Sequence, residues 1–325
     1  MPATGKRDQL TGYLIRRLIV AAIVTIGVAA ISFLLLQALN GTPARAVLGI
    51  KANSAAIAAW NRTHGYDRAL IARFGTYLWD LIHLNFGFSY KEGQSVGALF
   101  SENAGRSAYL SGASLLLALI VAIPLGIAQA VKRNSPGDYA ATAVSFTLYS
   151  MPSFFLGLIL IQFFALDWHV FPPSVSDDIT TTWGAIIHPA QLTLPTVTLA
   201  AITVASFSRY MRSSALDNLA QDYIRLARAK GLPERLVLTR HLLRNSCLPM
   251  ITLVGLSIPG LLAGNLLVET LFNYQGLGLL FYNALGTEDY PILLAYTVLG
   301  GVLTVIGNLI ADVAITVADP RIRID

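Results

Sequence analysis

Six intervals of this chain run for more than 20 residues without a single Asp, Glu, Lys or Arg. They lie between Arg17 and Arg45, Arg106 and Lys132, Asp138 and Asp167, Asp178 and Arg209, Arg244 and Glu269, and Asp289 and Asp312. A helix needs about 20 predominantly apolar residues to cross the hydrocarbon core of a bilayer. Each interval accommodates one, at 18–37, 108–131, 139–166, 189–208, 247–268 and 291–311. Backbone groups in lipid must be bonded within their own segment, so these spans should be helical. Composition agrees: 13% of residues are charged, against about 25% in a soluble domain. The expected class is an all-α membrane protein with six transmembrane helices. The single cysteine, Cys247, excludes an internal disulfide.

A seventh interval, 270–287, contains Asn273, Gln275, Gly276, Gly278, Asn283 and Gly286. That density of polar residues and glycine predicts a re-entrant or interfacial segment rather than a span. The first apolar run is longer than the 7–15 residues of a signal-peptide core, so it reads as an anchor.

Six spans place both termini on one side, and the Lys and Arg distribution chooses it. With cytoplasmic termini, 16 of the 23 basic residues fall inside. The remaining seven lie mostly in one long outer segment, 38–106. The expected order is a cytoplasmic N-terminus (1–17), the outer segment, a transmembrane core over 100–315, and a cytoplasmic tail (312–325). In the outer segment, Tyr66, Leu70, Phe74 and Tyr77 repeat at near-helical spacing, predicting that Asn61 to Asp80 is helical.

The largest inner loop, 209–245, carries half of the inside positive charge. Within it Asp222 is a plausible N-cap, Gly231 a helix stop, and Pro233 a start for a second helix. Tyr223, Leu226, Ala227 and Lys230 are expected on one face. Such a face suits a groove on a partner protein, or an anionic lipid surface held by the arginines; periodicity alone does not choose.

The stretch Asp222-Tyr223-Ile224-Arg225-Leu226-Ala227-Arg228-Ala229-Lys230-Gly231-Leu232, followed by Arg240-His241-Leu242-Leu243-Arg244-Asn245 and Leu248-Pro249, resembles a cytoplasmic loop known in one transporter family. Met151-Pro152-Ser153-Phe154-Phe155, Glu269-Thr270-Leu271-Phe272, Gly276-Leu277-Gly278, Asp289-Tyr290-Pro291 and the tail Asp319–Arg323 follow in the family's order. Together they are similar to the permease subunits of ABC importers, in the dipeptide/oligopeptide/nickel branch, and to its B-type member. The chain departs from that pattern at Gly41–Ala44, Leu84–Gly87 and Gln275.

The resemblance implies a type I importer permease fold that moves peptides by alternating access, oligopeptides before dipeptides, with nickel, glutathione or another small solute as alternatives. It implies a second, C-type permease chain, two ATP-binding subunits and an extracytoplasmic substrate-binding protein. ATP and Mg would belong to the partners, because Gly5-Lys6 is the chain's only Gly-Lys pair and lacks the rest of a phosphate-binding loop. The residues implied in coupling are Asp222, Tyr223, Arg225, Ala227, Arg228, Ala229, Lys230 and Gly231. Glu269, Gly276, Gly278 and Asp289 are the candidates for an outer gate or binding-protein contact. Pro152, Pro195 and Pro259 are candidate pathway kinks. No catalytic constellation is evident, the histidines show no metal spacing, and net charge +5 in such a chain points to membrane orientation rather than nucleic acid. A secondary transporter would need midplane ionisable groups and an internal repeat, and neither is clear.

Overall fold

The computed structural model describes residues 4–40, 43–49 and 51–318. The signature Asp319–Arg323, the turn residues Gly41 and Thr42, and the side chain of Asp312 lie outside the described residues. The helices in chain order are α1 (Thr4–Asn40), α2 (Ala44–Leu48), α3 (Ser54–Thr63), α4 (Leu70–Ile82), α5 (Val96–Val131), α6 (Pro136–Ser150), α7 (Ser153–Leu160), α8 (Thr182–Ile187) and α9 (Pro189–Leu219). They continue with α10 (Asp222–Ala229), α11 (Glu234–Leu236), α12 (Leu243–Ser246), α13 (Leu248–Ala263), α14 (Leu266–Leu271), α15 (Leu277–Thr287) and α16 (Tyr290–Ala318). Two π-helical stretches, Ile161–Asp167 and Val237–Leu242, extend α7 and join α11 to α12. A two-stranded hairpin, β1 (Phe88–Ser89) and β2 (Gln94–Ser95), precedes α5 with Ser89 opposite Gln94.

Among the described residues, four helices are long and apolar enough to cross a membrane alone, over Ile19–Ala38, Val96–Val131, Pro189–Leu219 and Tyr290–Ala311. Two bent pairs raise the number to six if each is one span: Pro136–Ser150 with Ser153–Asp167, and Glu234–Ser246 with Leu248–Leu261. The first pair meets at 110°, so the interval 139–166 contains two helices instead of one straight rod. The break falls at Met151-Pro152, where proline forces its predecessor out of the α region; Met151 is extended, at φ −78° and ψ 135°.

α5 and α9 run side by side in the same direction and organise the core. Leu110 of α5 meets Leu192 of α9 in one buried cluster, Ala122 meets Phe207 and Met211 in the next, and Ala130 meets Ala215 in the last. Their closest approach is at Gly126, where a β-carbon would lie 2.6 Å from Met211 Cβ and 2.7 Å from the Ser208 carbonyl oxygen. A second pair, α13 and α16, is equally close: Gly255 faces Ala311 and Gly307 faces Pro259. Small residues at such crossings let backbones approach where lipid gives no hydrophobic drive. α1 packs on the outer flank of α16, with Gly301 against Val28.

The segment between the first two spans differs from its expectation. No single helix covers Asn61 to Asp80; α3 ends at Thr63, Gly65 turns the chain at φ 73°, and α4 begins at Leu70. Tyr66, Phe74 and Tyr77 still converge, because Phe74 and Tyr77 pack their rings on Phe33 of α1 and Arg73 lies 4.6 Å over the ring of Tyr66.

Candidate functional site

Two constellations occupy opposite ends of the α5–α9 pair. Ser107 and Ala130 of α5 mark them, 23 residues apart, which at 1.5 Å per residue is about 35 Å, close to the thickness of a bilayer.

At one end, α10 stands on the tips of α5 and α9. Its Ile224 and Ala227 are buried with Ala130, Ala215, Val237 and Leu242. Gly231 then turns the chain at φ 73°, a conformation glycine adopts without strain. The Leu232 amide donates to the Ala227 carbonyl and closes the turn. Arg228 bridges the turn to Glu234 at 2.6 Å, and the Tyr223 hydroxyl donates to Asn218 Oδ1 at 2.6 Å. The neighbouring carboxylate of Glu234 pushes the Arg228 guanidinium pKa up.

The expected face of Tyr223, Leu226, Ala227 and Lys230 is therefore divided. Ala227 points into the loop's own core and Tyr223 is half-buried, while Asp222, Arg225, Leu226, Arg228, Ala229, Lys230 and Gly231 are exposed. Burying Ile224 fixes the rotation of the helix, and leaves a surface of cations around Leu226, a leucine 56% exposed.

At the other end lies a knot around Glu269, which is completely buried. Its Oε1 accepts from Ser107 Oγ at 2.8 Å and from the Asn265 amide at 3.1 Å. Its Oε2 accepts from the amides of Gly278 at 2.7 Å and Leu279 at 3.3 Å. Ser107 Oγ in turn accepts from the Leu277 amide, and the Tyr274 hydroxyl donates to the Arg106 carbonyl. The carboxylate thus caps the first turn of α15, where unpaired N–H groups and the helix dipole favour an anion. Burial pushes the Glu269 carboxyl pKa up, and the four donors offset only part of that rise.

Glycine is needed here for space. A β-carbon on Gly276 would fall within van der Waals contact of Glu269 and Ser107, and one on Gly278 would lie 2.8 Å from the Leu266 amide nitrogen. Asp289 is buried too. Ser89 Oγ donates to its Oδ2, tying the hairpin to the start of α16, and burial raises its carboxyl pKa.

Glu269, Gly276, Gly278 and Asp289, the candidates for an outer gate or binding-protein contact, are all buried within the chain. Glu269 joins α5, α14 and α15, and Asp289 Oδ2 ties the hairpin to α16. The prolines also differ among themselves. Pro152 marks the 110° bend, whereas α9 continues through Pro195 and α13 through Pro259, the latter packed on Gly307.

Several residues of these sites carried no expectation in the sequence: Ser107, Asn265 and Tyr274 in the knot, and Asp138. Asp138 is buried and receives both Arg212 Nε at 2.9 Å and Nη2 at 2.8 Å, holding α6 to α9 near the loop. The signal for it was Ser135-Pro136, an N-cap with proline in the first turn, whose hydroxyl accepts from the Asp138 amide.

A cavity of about 400 Å³ lies between α4 and the ends of α1 and α16, lined by Phe33, Tyr66, Arg73, Tyr77, Asp80 and Tyr290 among others. Tyr290 and Pro291 of its lining follow directly on Asp289.

Long apolar helices, a polar knot at one end and a basic helical loop at the other define a multi-spanning α-helical membrane protein. The chain belongs to the binding-protein-dependent transport system inner membrane component family, whose model matches residues 122–324. The N-terminal model of the same family matches residues 10–103. It is similar to the oligopeptide transport system permease protein AppB of Bacillus subtilis, at 35% identity covering 97% of this chain and all of that protein. It is 33% identical to the dipeptide permease DppB of Escherichia coli (96% and 98% of the two chains) and 32% identical to the glutathione permease GsiC of Salmonella choleraesuis (97% and 99%). It is a multi-pass bacterial inner-membrane protein and an ABC importer permease of the peptide branch.

Proposed function

We propose that this chain is one half of the translocation pathway of an ATP-driven importer, crossing the membrane six times with both termini in the cytoplasm. The α10 end is then cytoplasmic and the Glu269 end external. Two ATP-binding subunits, with ATP and Mg, act from below; a substrate-binding protein delivers cargo from outside; and a second permease chain completes the pathway. The transported class is peptides, oligopeptides before dipeptides. The names of AppB and DppB favour that class, while GsiC keeps glutathione as the next reading.

The observation that carries the proposal is the build of α10. The helix has its own small core on the ends of α5 and α9, so it is stiff, yet its outer face exposes Leu226 between cations. An apolar residue in a basic rim fits a cleft on a protein better than solvent. A push on α10 passes directly to Ala130 and Ala215, and through them to two long helices.

The test is a Leu226→Glu variant purified with its co-expressed partners, assayed for retained ATPase subunits and for uptake of a labelled oligopeptide into vesicles. Loss of the ATPase subunits or of uptake, with the permease still in the membrane, supports the reading. Full uptake with a normal complex refutes coupling through this helix. Competition by dipeptides and by glutathione against the labelled oligopeptide ranks the substrate classes.

A further inference from the structure

α4 has three distinct sides. One faces the protein: Phe74 and Tyr77 stack on Phe33, and the Tyr77 hydroxyl donates to the Leu294 carbonyl of α16. A second is polar and carries Thr76, Asp80 and His83. The third is apolar and uncovered. Ile71 is 86% exposed, Trp79 64% and Ile82 75%, and Gly75 lies between them. Positions 71, 75, 79 and 82 share one face of a helix.

The contacts fix where this helix sits. Among the described side chains, those of α1 that meet α4 fall within one turn, Phe33 to Gln37, where Gln37 Oε1 accepts from Arg73 Nη1 at 2.9 Å. Contact through a single turn means that α4 crosses α1 instead of running along it. α1 continues to Asn40, so α4 rests on its flank, not on its tip. That flank is the last part of the apolar window Ile19–Ala38, and on the same helix Ile31, Leu34 and Leu35 are also exposed. The uncovered face of α4 is thus at the depth where the lipid-facing surface of α1 ends. A crossing helix with an apolar side, a polar side and a tryptophan at that depth has the pattern of a helix lying in the membrane interface.

We propose that α4 lies in the membrane–water interface, with Ile71, Trp79 and Ile82 seated at the headgroup–acyl boundary of the leaflet at the Glu269 end. The occupant of this face is lipid. The placement rests on packing against α1 alone and does not depend on which side of the membrane that leaflet faces. The helix would fix the tilt of α1 relative to α16 and keep the loop-rich segment 38–95 against the bilayer.

The experiment is spin labelling of the full chain, reconstituted with its co-purified partners in phospholipid vesicles, on a Cys247→Ser background. Single cysteines replace Ile71, Trp79 or Ile82, with Leu34 as lipid reference and Asp67 as aqueous reference. Collision of each nitroxide with oxygen, which concentrates in lipid, is compared with collision with a charged nickel chelate, which stays in water. At 71, 79 and 82 the ratio should approach that of position 34 and exceed that of position 67 several-fold. A ratio like that at 67 overturns the proposal, because the face is then in water. Nitroxides immobilised and shielded from both reagents overturn it too, because the face is then covered by a partner chain. Three independent sites keep the test decisive if one variant fails to assemble.

Discussion

Glu269 offers the sharpest test of the structure, because its surroundings distinguish a carboxylate from its neutral amide. Four donors converge on two oxygens, and three of them are backbone amides that cannot turn away. Leaving a buried donor unpaired costs about 1–3 kcal/mol. Glu269→Ala strands all three, so it should cost at least about 3 kcal/mol. Glu269→Gln keeps one oxygen and presents NH₂ to the other pair of donors. The least costly orientation turns that NH₂ toward Ser107, whose hydroxyl can rotate and accept, and strands only the Asn265 amide. The expected loss is about 2 kcal/mol. Thermal unfolding of the detergent-solubilised assembly should rank wild type above Gln and Gln above Ala, with Ala lower than wild type by at least about 4 °C. A Gln variant as stable as wild type would refute the argument: the group would then be a neutral acid already, and the donors would not require a charge.

Asp289 is a second buried carboxyl whose titration can be tested. Its folded-state pKa is raised by burial, so its favourable contribution is complete below the ordinary carboxyl range and lost as pH rises through the raised value. Wild type should therefore lose stability relative to Asp289→Asn as pH rises above about 4 in parallel melts. Gly126→Ala places a β-carbon against backbone of α9 as well as Met211, and should cost about 1–3 kcal/mol by overpacking, read as a lower melting temperature. Arg228→Ala breaks an ion pair whose partners are 45% and 51% exposed; the stability change should stay within about 1 kcal/mol, while uptake falls if the turn must be rigid. Gly231→Ala meets open space but keeps φ 73°, so its cost should be the left-handed backbone penalty alone, about 1–2 kcal/mol in the same melts.

The apolar helices and the helix–turn–helix of the loop were legible because both are written in local patterns. An apolar interval between Arg106 and Lys132, or Gly231 followed by Pro233, carries its meaning within a few residues. The rotation of α10 was less legible. Spacing shows that Tyr223, Leu226, Ala227 and Lys230 can share a face, but only the presence of Ala130 and Ala215 beneath Ile224 decides which face turns inward. The role of Glu269 was legible least. A carboxylate at the end of an apolar run looks like an interfacial group, since the rule against charges in lipid says nothing about a pocket of amides. Its partners come from sequence distances of 162, 4, 9 and 10 residues. The near ones depend on the chain turning back at Gly264 and Gly276, and the distant one on α5 passing at the right height. The bend at Met151-Pro152 was visible as a proline, but whether a proline breaks a helix depends on what relieves it; Pro195 and Pro259 do not break theirs.

The two constellations are joined by more than one route, which bears on how the proposed cycle could work. The first route is α5 and α9, seated on α10 at one end and anchored near Glu269 through Ser107 at the other. The second is α13, continuous with the loop through α12 and with the knot through Gly264, whose β-carbon would meet Glu269 Oε1 at 2.6 Å. α13 is itself bound to α16 at two close crossings. A displacement of α10 therefore acts on the α5–α9 pair by contact and on the α13–α16 pair through the chain. Opening a path requires these pairs to move differently, and a rigid chain connection would prevent that. The covalent link at the loop runs through the π-helical stretch Val237–Leu242, a geometry that often marks a hinge. At the knot no comparable slack exists, since Glu269 is fixed by donors from α5, α14 and α15 at once. The expected motion is then a pivot about the Glu269 end with the larger excursion at the α10 end.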